Sequence, residues 1–225
     1  NGARGGRGGD RRGASGGEGR RVSGSLVDGQ LPRDIALTMR TAGRVAVDTE
    51  TGGLDWAQDR LHLCQLFTPE TGPVLLRHVA GEPHGLGSVM RDPAVLKVMH
   101  FAPFDLRFLE AQWGVETRSV ACTKAASRLL DPTLNDHSLK ALLERHLGVL
   151  IEKGEVRTSD WSAVTLSDEQ VAYAVGDVSH LLDLHQLLAD RLEAAGLSGM
   201  FEQVCAYMPV DSHLEVRSYP NPLTY

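Results

Sequence analysis

Two carboxylates separated by one residue mark the end of a strand-like run in the first quarter of the chain. The apolar stretch Val45-Ala46-Val47 leads into Asp48-Thr49-Glu50, and Gly52-Gly53 follows. Because side chains alternate along a strand, Asp48 and Glu50 project to the same side, next to a glycine turn. Like charges this close repel unless a cation lies between them, and hard oxygen ligands favour Mg²⁺ or Mn²⁺. The pattern predicts a divalent-metal site, with two solvated carboxylates as the alternative.

Three further polar residues stand where they could join this site. Asp105 falls in the first turn of a helix predicted after Pro103, where simple helix capping is the alternative explanation. Tyr173 and Asp177 lie four residues apart on a later predicted helix and therefore share one face, although such a pair is usually surface decoration. Together the chain offers four carboxylates and a phenol from three separate elements.

The elements that must position these groups alternate between strands and helices. Apolar alternation predicts five strands, of which the first three form a meander, at 45–50, 61–67, 73–76, 96–101 and 119–123. Helices are predicted at 32–41, 104–109, 123–130, 138–147, 171–195 and 199–207. Ser167 and Gln170 form a capping box before the helix that carries Tyr173. The polar stretch 151–166 is predicted to be an irregular loop with an exposed Trp161, acting as a lid anchor or a substrate contact.

Length and composition favour one α/β domain. The chain has 225 residues, 42% of them hydrophobic and 23% charged, which is enough for one core. No apolar run reaches the roughly 20 residues that cross a bilayer, and no signal peptide is visible. The cysteines are three in number and widely spaced, which predicts buried thiols in a reducing compartment, most simply the cytoplasm.

The charge is distributed unevenly along the chain. The Gly/Arg-rich residues 1–24 carry +4 of a total of −6, which leaves −10 for residues 25–225. We expect a disordered leader at 1–24, either inert or able to contact RNA through its RGG-type repeat, a folded domain at 25–208 and a tail at 209–225. A folded part this acidic argues against a long electrostatic track along a polynucleotide, and it is compatible with a metal cluster that accepts one short strand end.

In their order and context these motifs resemble the DEDD superfamily of 3′–5′ exonucleases, in its tyrosine-bearing branch. Asp48-Thr49-Glu50 is similar to the first motif of that family, His100-Phe101-Ala102-Pro103-Phe104-Asp105 to the second, and Tyr173-Ala174-Val175-Gly176-Asp177 to the third. The stretches between the motifs are similar to ribonuclease D and especially to the short nano-RNase C type. The resemblance covers about residues 30–208. It implies an α/β, ribonuclease H-like (DnaQ-like) fold with a mixed five-stranded sheet flanked by helices.

The resemblance also implies a reaction. The expected activity is removal of 5′-mononucleotides from the 3′ end of dinucleotides or short oligoribonucleotides with two Mg²⁺ or Mn²⁺ ions. Asp48 would bridge both ions, Glu50 and Asp177 would bind the ion of the nucleophile, and Asp105 would act on the second ion directly or through water. Tyr173 would orient the attacking water, because a phenol with an ordinary pKa of about 10 is a poor base at neutral pH.

Six residues near the motifs are candidates for substrate contacts: Thr49, Thr51, Leu54, His100, Phe101 and Trp161. Leu54 matches the position at which related exonucleases wedge an apolar side chain against the terminal base, and inward packing is its alternative. His100 would contact substrate or satisfy a strand end. The resemblance further implies a homo-oligomer. The alternatives for function are ribonuclease D-like trimming of structured RNA 3′ ends, a DNA 3′–5′ exonuclease, and an inactive RNA-binding or structural module on the same fold.

Overall fold

The strand that carries Asp48 and Glu50 lies inside a mixed sheet to which the described residues contribute six strands. The computed structural model describes residues 2, 24–78, 81–151, 156 and 159–223. In chain order the elements are β1 (Ser25–Asp28), α1 (Arg33–Ala42), β2 (Arg44–Thr51), β3 (Leu61–Thr68), β4 (Gly72–Arg77), α2 (His84–Met90), β5 (Leu96–Met99), α3 (Ala102–Trp113), β6 (Val120–Cys122), α4 (Thr123–Leu130), α5 (Leu139–Leu147), α6 (Asp168–Ser179), α7 (Leu181–Ala194) and α8 (Ser198–Val216). The predicted leader lies outside the described residues, apart from Gly2 and Gly24.

The strands follow the order β1-β4-β3-β2-β5-β6 across the sheet. β2, β3 and β4 form an antiparallel meander, as predicted, while β5 pairs parallel to β2 and β6 parallel to β5. The prediction of five strands was wrong by one, because β1 adds to the edge by parallel pairing with β4. Its four residues are mostly exposed, so their side chains carry little of the apolar signal that identifies a buried strand.

Local capping sets the start of the helix that carries Tyr173 and Asp177. The predicted capping box at α6 is confirmed: the Gln170 backbone N donates to Ser167 Oγ at 3.2 Å, and the Ser167 backbone N donates to Gln170 Oε1 at 2.9 Å. These two bonds satisfy N–H groups that a helix start otherwise leaves without partners. The register of Tyr173 and Asp177 on α6 therefore follows directly from the sequence.

The single helix predicted at 171–195 is two helices. His180, with φ −115° and ψ 2°, interrupts the helical backbone between α6 and α7. The break allows the two segments to pack differently: α6 lies against β2, β3 and β4, and α7 lies against β2, β5, α4 and α5. The apolar periodicity continues through the break, which is why the sequence pattern does not mark it.

The last helix is longer than predicted. α8 continues through Pro209 to Val216, so the tail expected from residue 209 begins as helix. A proline inside a helix removes one backbone hydrogen bond, and the prediction ended the helix before it for that reason. Ion pairs to α3 hold the second half of α8: Arg107 contacts Asp211 and Glu215, and Glu110 contacts Arg217. Tertiary contacts thus outweigh the local preference.

The core is apolar and holds the three cysteines as free, buried thiols, as predicted. One large buried cluster occupies most of the domain, and a second gathers Leu63, Leu75, Trp161, Leu166 and Tyr173 beneath α6. Among the described residues, every helix is too short or too polar to cross a membrane.

Candidate active site

The end of β2 presents its two carboxylates at an irregularity in the sheet. Asp48 lies opposite Gln65 and Glu50 opposite Leu63, and the register of β2 with β3 shifts between Glu50 and Thr51. Such a bulge bends the strand and ends regular pairing, which turns side chains out of the sheet at that point. Glu50 is 7% exposed and Asp48 is half-buried, so the pair stands at the rim of the core.

Helix α6 brings the third carboxylate to this rim. It packs over β2, β3 and β4 and places Asp177 so that oxygens of Asp48, Glu50 and Asp177 all lie within 4.8 Å of one another. Three carboxylates at such distances repel strongly without a cation. The donor set consists of hard oxygens and includes one residue that is 4% exposed, Asp177. It therefore fits Mg²⁺ or Mn²⁺.

The fourth carboxylate, Asp105, stands beside this group rather than in it. It lies in the first turn of α3, is 2% exposed, and its Oδ1 accepts a hydrogen bond from Thr49 Oγ1 at 2.6 Å. Burial raises the pKa of Asp105 to about 7, the Thr49 bond opposes that rise, and the nearby charge of Asp177 adds to it. In the metal-free site Asp105 is therefore partly protonated near neutral pH.

Tyr173 belongs to the same site as a hydrogen-bonding group. Its ring is 9% exposed and its hydroxyl is hydrogen-bonded to Asp177. Burial raises the pKa of the Tyr173 phenol far above its usual range, and the charges of Asp177, Glu50 and Asp48 raise it further. The phenol therefore stays protonated at every physiological pH, and it can orient a water molecule but cannot remove its proton.

A cleft of about 500 Å³ opens in front of these groups. Its lining includes Leu54, which is 85% exposed at the tip of the loop after β2, so the alternative in which Leu54 packs inward is wrong. Two contacts shape the loop. Thr51 Oγ1 donates to the Gly53 carbonyl at 2.6 Å, and a side chain at Gly53 would collide with the Asp59 carboxylate.

The residues before α3 also line the cleft. Phe101 is 43% exposed and has a left-handed backbone with φ 68°, a conformation that costs a non-glycine residue roughly 1–3 kcal/mol. Lys124 Nζ lies 4.4 Å from the centroid of its ring. His100 Nδ1 is 2.9 Å from Thr123 Oγ1, whose own hydroxyl donates to the Met99 carbonyl at 3.3 Å. Because the Thr123 hydroxyl donates to Met99, its oxygen can accept from an N–H at Nδ1 of His100, which holds the imidazole ring in place.

Of the predicted substrate contacts, Thr49 and Thr51 line the cleft and Trp161 does not. The hydroxyls of Thr49 and Thr51 line the cleft but are used within the protein, by Asp105 and Gly53. Trp161 was expected to be exposed and is 3% exposed; it packs against Tyr173 with ring centroids 5.9 Å apart and is not among the cleft-lining residues. The apolar cluster beneath α6 takes up the indole, which a polar flanking sequence does not reveal.

Several residues at the site escaped the sequence analysis. Phe104, Leu139 and Ser159 line the cleft, and Gln65 Nε2 donates to Glu50 Oε1 at 2.9 Å. In the sequence, the available signal for Gln65 was a polar residue inside the apolar run of β3. In the structure Gln65 is 0% exposed. A buried amide requires a partner, and that requirement points to a neighbouring polar group.

An acidic cluster at the end of a central strand, with a tyrosine one helical turn before the third acid, defines a nuclease-type site on a mixed α/β sheet. The model of the 3′–5′ exonuclease family matches residues 27–193. The chain belongs to this family.

Its relatives include ribonuclease D proteins. Ribonuclease D of Gluconacetobacter diazotrophicus is 38% identical over 114 residues, which make up 49% of this chain and 28% of that protein. Ribonuclease D of Haemophilus influenzae is 30% identical over 167 residues, or 74% of this chain and 41% of that protein. The matched part of the chain thus covers less than half the length of these relatives.

Solved structures resemble the chain over nearly its whole length. NrnC of Brucella melitensis bound to pGG has a TM-score of 0.82 and 29% identity, and the match covers 91% of this chain and 99% of that one. A structure of the same protein with bound Mg²⁺ gives a TM-score of 0.81 and 29% identity over 90% and 99% of the two chains. The expected ribonuclease H-like fold is confirmed by these neighbours.

Proposed function

We propose that this protein is a metal-dependent 3′–5′ exoribonuclease that hydrolyses short RNA to 5′-mononucleotides. The observation that carries the proposal is the meeting of Asp48, Glu50 and Asp177 within 4.8 Å at the base of a cleft. The exposed apolar side chains Leu54 and Phe101 stand at the rim of the same cleft. The carboxylates suit cations at a phosphodiester, and the apolar groups suit the faces of bases.

The size and charge of the molecule favour a short substrate. A cleft of about 500 Å³ falls within the range of about 300–1,000 Å³ that is usual for small-ligand sites. The formal charge of −10 on residues 25–225 disfavours binding to a long phosphate backbone away from the metal site. The similarity to NrnC, which was solved with pGG bound, supports the same substrate class.

The mechanism assigns each acidic residue a position. Asp48, Glu50 and Asp177 would hold two divalent cations, and Asp105, oriented by Thr49, would hold the second cation directly or through water. When bound, the cations supply positive charge that favours ionisation of the attacking water and stabilises the leaving 3′-oxygen. Tyr173, held by Asp177, would donate no proton to the products and would instead fix the direction of the attacking water.

The residues at the rim of the cleft would recognise the 3′ end of the RNA substrate. Leu54 would wedge against the terminal base, because it is exposed at a loop tip that Thr51 and Gly53 stabilise. Phe101 would offer a stacking face, which is worth about 1–3 kcal/mol per base in other single-strand binding proteins. His100, whose ring is held by Thr123 through Nδ1, would contact the substrate next to these two side chains.

The test compares the hydrolysis of a diribonucleotide, a 7-mer and a 3′-extended tRNA precursor, each with Mg²⁺, with Mn²⁺ and with EDTA. We expect the highest kcat/KM for the diribonucleotide, only modest dependence on salt, and no reaction in EDTA or on a 3′-phosphorylated end. Cleavage of a circular RNA would contradict exonuclease action. Efficient hydrolysis in EDTA would contradict the metal site.

Ribonuclease D-like trimming is the second candidate, and the 38% identity to a ribonuclease D over 114 residues favours it. It predicts that the tRNA precursor is the best substrate.

A deoxydinucleotide in the same assay tests the DNA exonuclease alternative, for which DNA polymerase I of Rhizobium leguminosarum, 30% identical over 213 residues, is the relevant relative. Inactivity on every substrate would favour a binding module. Homo-oligomerisation and a cytoplasmic location stay predictions, and sedimentation analysis tests the first.

A further inference from the structure

Gln65 is a buried amide in the strand next to the acidic residues of β2. It lies on β3 directly opposite Asp48, is 0% exposed, and its Nε2 donates to Glu50 Oε1 at 2.9 Å. We propose that Gln65 is a positioning residue that holds the Glu50 carboxylate in the orientation required to bind a divalent cation. This inference rests on the proposed function, because it concerns the same metal site.

The geometry of the sheet makes the contact rigid. Residues directly opposite in an antiparallel pair share a face, and so do residues two apart on one strand. Gln65 therefore lies on the face of Asp48 and is the diagonal neighbour of Glu50. β3 pairs with β2 on one side and β4 on the other, so the backbone that carries Gln65 is fixed on both edges. The amide is consequently a fixed reference point for the longer, more flexible Glu50 side chain.

The chemistry of the pair determines which way the amide points. An ionised carboxylate only accepts hydrogen bonds, so the amide must face Glu50 with its N–H₂ group rather than its oxygen. Within the part of the chain that the structure describes, Oε1 of Gln65 is buried and has no hydrogen-bond partner. A buried acceptor in that situation costs roughly 1–3 kcal/mol. Gln65 thus adds little to stability overall, although it donates a well-formed bond to Glu50.

A neutral donor suits a metal ligand better than a cationic one. A Lys or Arg in place of Gln65 would neutralise Glu50 and compete with a divalent cation for its charge. An amide instead occupies one lone pair of the carboxylate and leaves its negative charge available to the metal. Hydrogen-bonding partners of ligand carboxylates in known metal sites contribute about 10–100-fold to metal affinity or activity. We expect an effect of that size here.

The experiment removes the donor while keeping the volume. In Gln65→Met the side chain keeps its length and loses its amide, and in Gln65→Asn the amide is retracted by one bond. Leu63→Met is the matched control, because Leu63 is buried on the same face of β3 and lies opposite Glu50 without bonding to its carboxylate. Binding of Mn²⁺ is measured without substrate by calorimetry or by electron paramagnetic resonance, alongside the melting temperature and the Mg²⁺ dependence of kcat.

The expected result is Mn²⁺ binding about 10–100-fold weaker in both Gln65 variants. The Mg²⁺ concentration at half-maximal rate should rise by a similar factor, while the melting temperature of Gln65→Met stays close to that of the wild type. Leu63→Met should bind Mn²⁺ as the wild type does. Unchanged Mn²⁺ affinity in Gln65→Met would overturn the positioning role, and so would equal weakening in Leu63→Met. If Gln65→Met does not fold, Gln65→Asn decides by the same criterion.

The wild-type protein separates this inference from the proposed function. A wild type that binds Mn²⁺ and hydrolyses RNA while Gln65→Met does both equally well would overturn the role of Gln65 alone. A wild type that binds no Mn²⁺ and hydrolyses no RNA would overturn the proposed function and the inference together.

Discussion

Two regions of the described structure each bring three candidate metal ligands within 4.8 Å of one another. One is the site at the end of β2, with Asp48, Glu50 and Asp177, and the other joins α3 to α8 through Glu110, Glu116 and His213. Helix α3 takes part in both, because Asp105 lies in its first turn and Glu110 in its later part. Both of these α3 carboxylates are buried, with exposures of 2% and 7%.

The two regions differ in the donors that reach their carboxylates. Glu110 Oε1 accepts from His213 Nδ1 at 2.8 Å and lies 3.1 Å from the guanidinium Nε of Arg217. At the end of β2 three of the donors are neutral: the Gln65 amide to Glu50, the Thr49 hydroxyl to Asp105 and the Tyr173 phenol to Asp177. The Arg217 guanidinium brings a positive charge to Glu110, whereas these three donors at the end of β2 bring no formal charge to the acids they contact. Proximity alone therefore does not identify a metal site.

The largest expected effect is loss of activity when an active-site acid is neutralised. Asp48→Asn, Glu50→Gln, Asp105→Asn and Asp177→Asn should each lower kcat/KM by about a thousandfold or more, because several kcal/mol of charge stabilisation depend on the cations. Initial rates on a diribonucleotide measure this. Glu116→Gln, an exposed acid of the other region, is the control and should stay near the wild-type rate. Near-normal rates for any of the four variants would remove that residue from the mechanism.

The stability of Asp105→Asn should depend on pH in a defined direction. Burial raises the pKa of Asp105 to about 7, so the folded metal-free protein binds more protons than the unfolded chain between about pH 4 and pH 7. The contribution of Asp105 to the free energy of unfolding of the wild type is therefore lost as pH rises through that window. Asn at this position does not titrate, so the variant keeps its stability there. In EDTA the melting temperature of Asp105→Asn should exceed that of the wild type more at pH 8 than at pH 5. The opposite order would show that Asp105 is not the buried acid that the structure describes.

Addition of Mn²⁺ should raise the melting temperature through the site at the end of β2 and not through the cluster between α3 and α8. At a Mn²⁺ concentration of 100 times Kd, binding adds about 2.7 kcal/mol, or about 5–10 °C in melting temperature. We expect this shift for the wild type and for Glu110→Gln, and a much smaller shift for Asp48→Asn. Thermal melts with and without Mn²⁺ measure it. If Glu110→Gln removed the shift instead, the site between α3 and α8 would be the metal site.

Tyr173→Phe tests whether the Tyr173 hydroxyl contributes to the reaction rate without contributing to metal binding. The phenol is protonated and hydrogen-bonded to Asp177, so its removal should lower kcat by about 10–100-fold while Mn²⁺ binding changes little. Single-turnover rates at saturating metal, together with Mn²⁺ titrations, separate the two effects. Full activity of Tyr173→Phe would show that the phenol does not orient the attacking water.

Glu110→Gln should affect stability and leave catalysis nearly unchanged. Breaking a buried ion pair costs about 3–5 kcal/mol when the remaining charge is buried. Because the side chains of His213 and Arg217 are 42% and 53% exposed, we expect a smaller loss of about 1–3 kcal/mol. Urea unfolding measures the loss, and kcat at a temperature well below the transition should stay within about twofold of the wild type. A large fall in kcat without loss of stability would join this region to the active site.

The last prediction concerns the buried amine of Lys97, whose charge is opposite in sign to that of the buried carboxylates. Its Nζ donates to the carbonyls of Asp92 and Val95 at 2.8 and 2.6 Å, and burial lowers the pKa of the amine from 10.5 to about 8. Between those values the unfolded chain binds more protons, so this group makes the free energy of unfolding rise with pH by at most about 1.4 kcal/mol per unit. Lys97→Met should lack that rise. Parallel pH profiles of the two proteins by urea unfolding would contradict the assignment.

The sequence and the structure agree where a rule is local. Strand alternation places Asp48 and Glu50 on one face, the Ser167–Gln170 box sets the start of α6, and a four-residue spacing puts Tyr173 beside Asp177. Each of these follows from backbone geometry within a few residues. The predictions from sequence were wrong where partners distant in the chain decide the outcome. α8 continues through Pro209 because of ion pairs with α3, and Trp161 is buried because α6 and β3 cover it.

By itself, the sequence determined the strand that carries Asp48 and Glu50, the capped start of α6 and the chemical types of the acids and the tyrosine, since alternation, capping and side-chain chemistry act over short distances. The family resemblance assigned the acids to one site, but the physical cause of their meeting lies in the tertiary structure, since Asp177 reaches Asp48 by the packing of α6 over the sheet and Glu110 contacts α8 and Arg217 instead. The tertiary structure also decided that Gln65 bonds to Glu50, because the register between two strands sets that contact. Pairing and packing join residues far apart in the chain, and no short-range pattern records them.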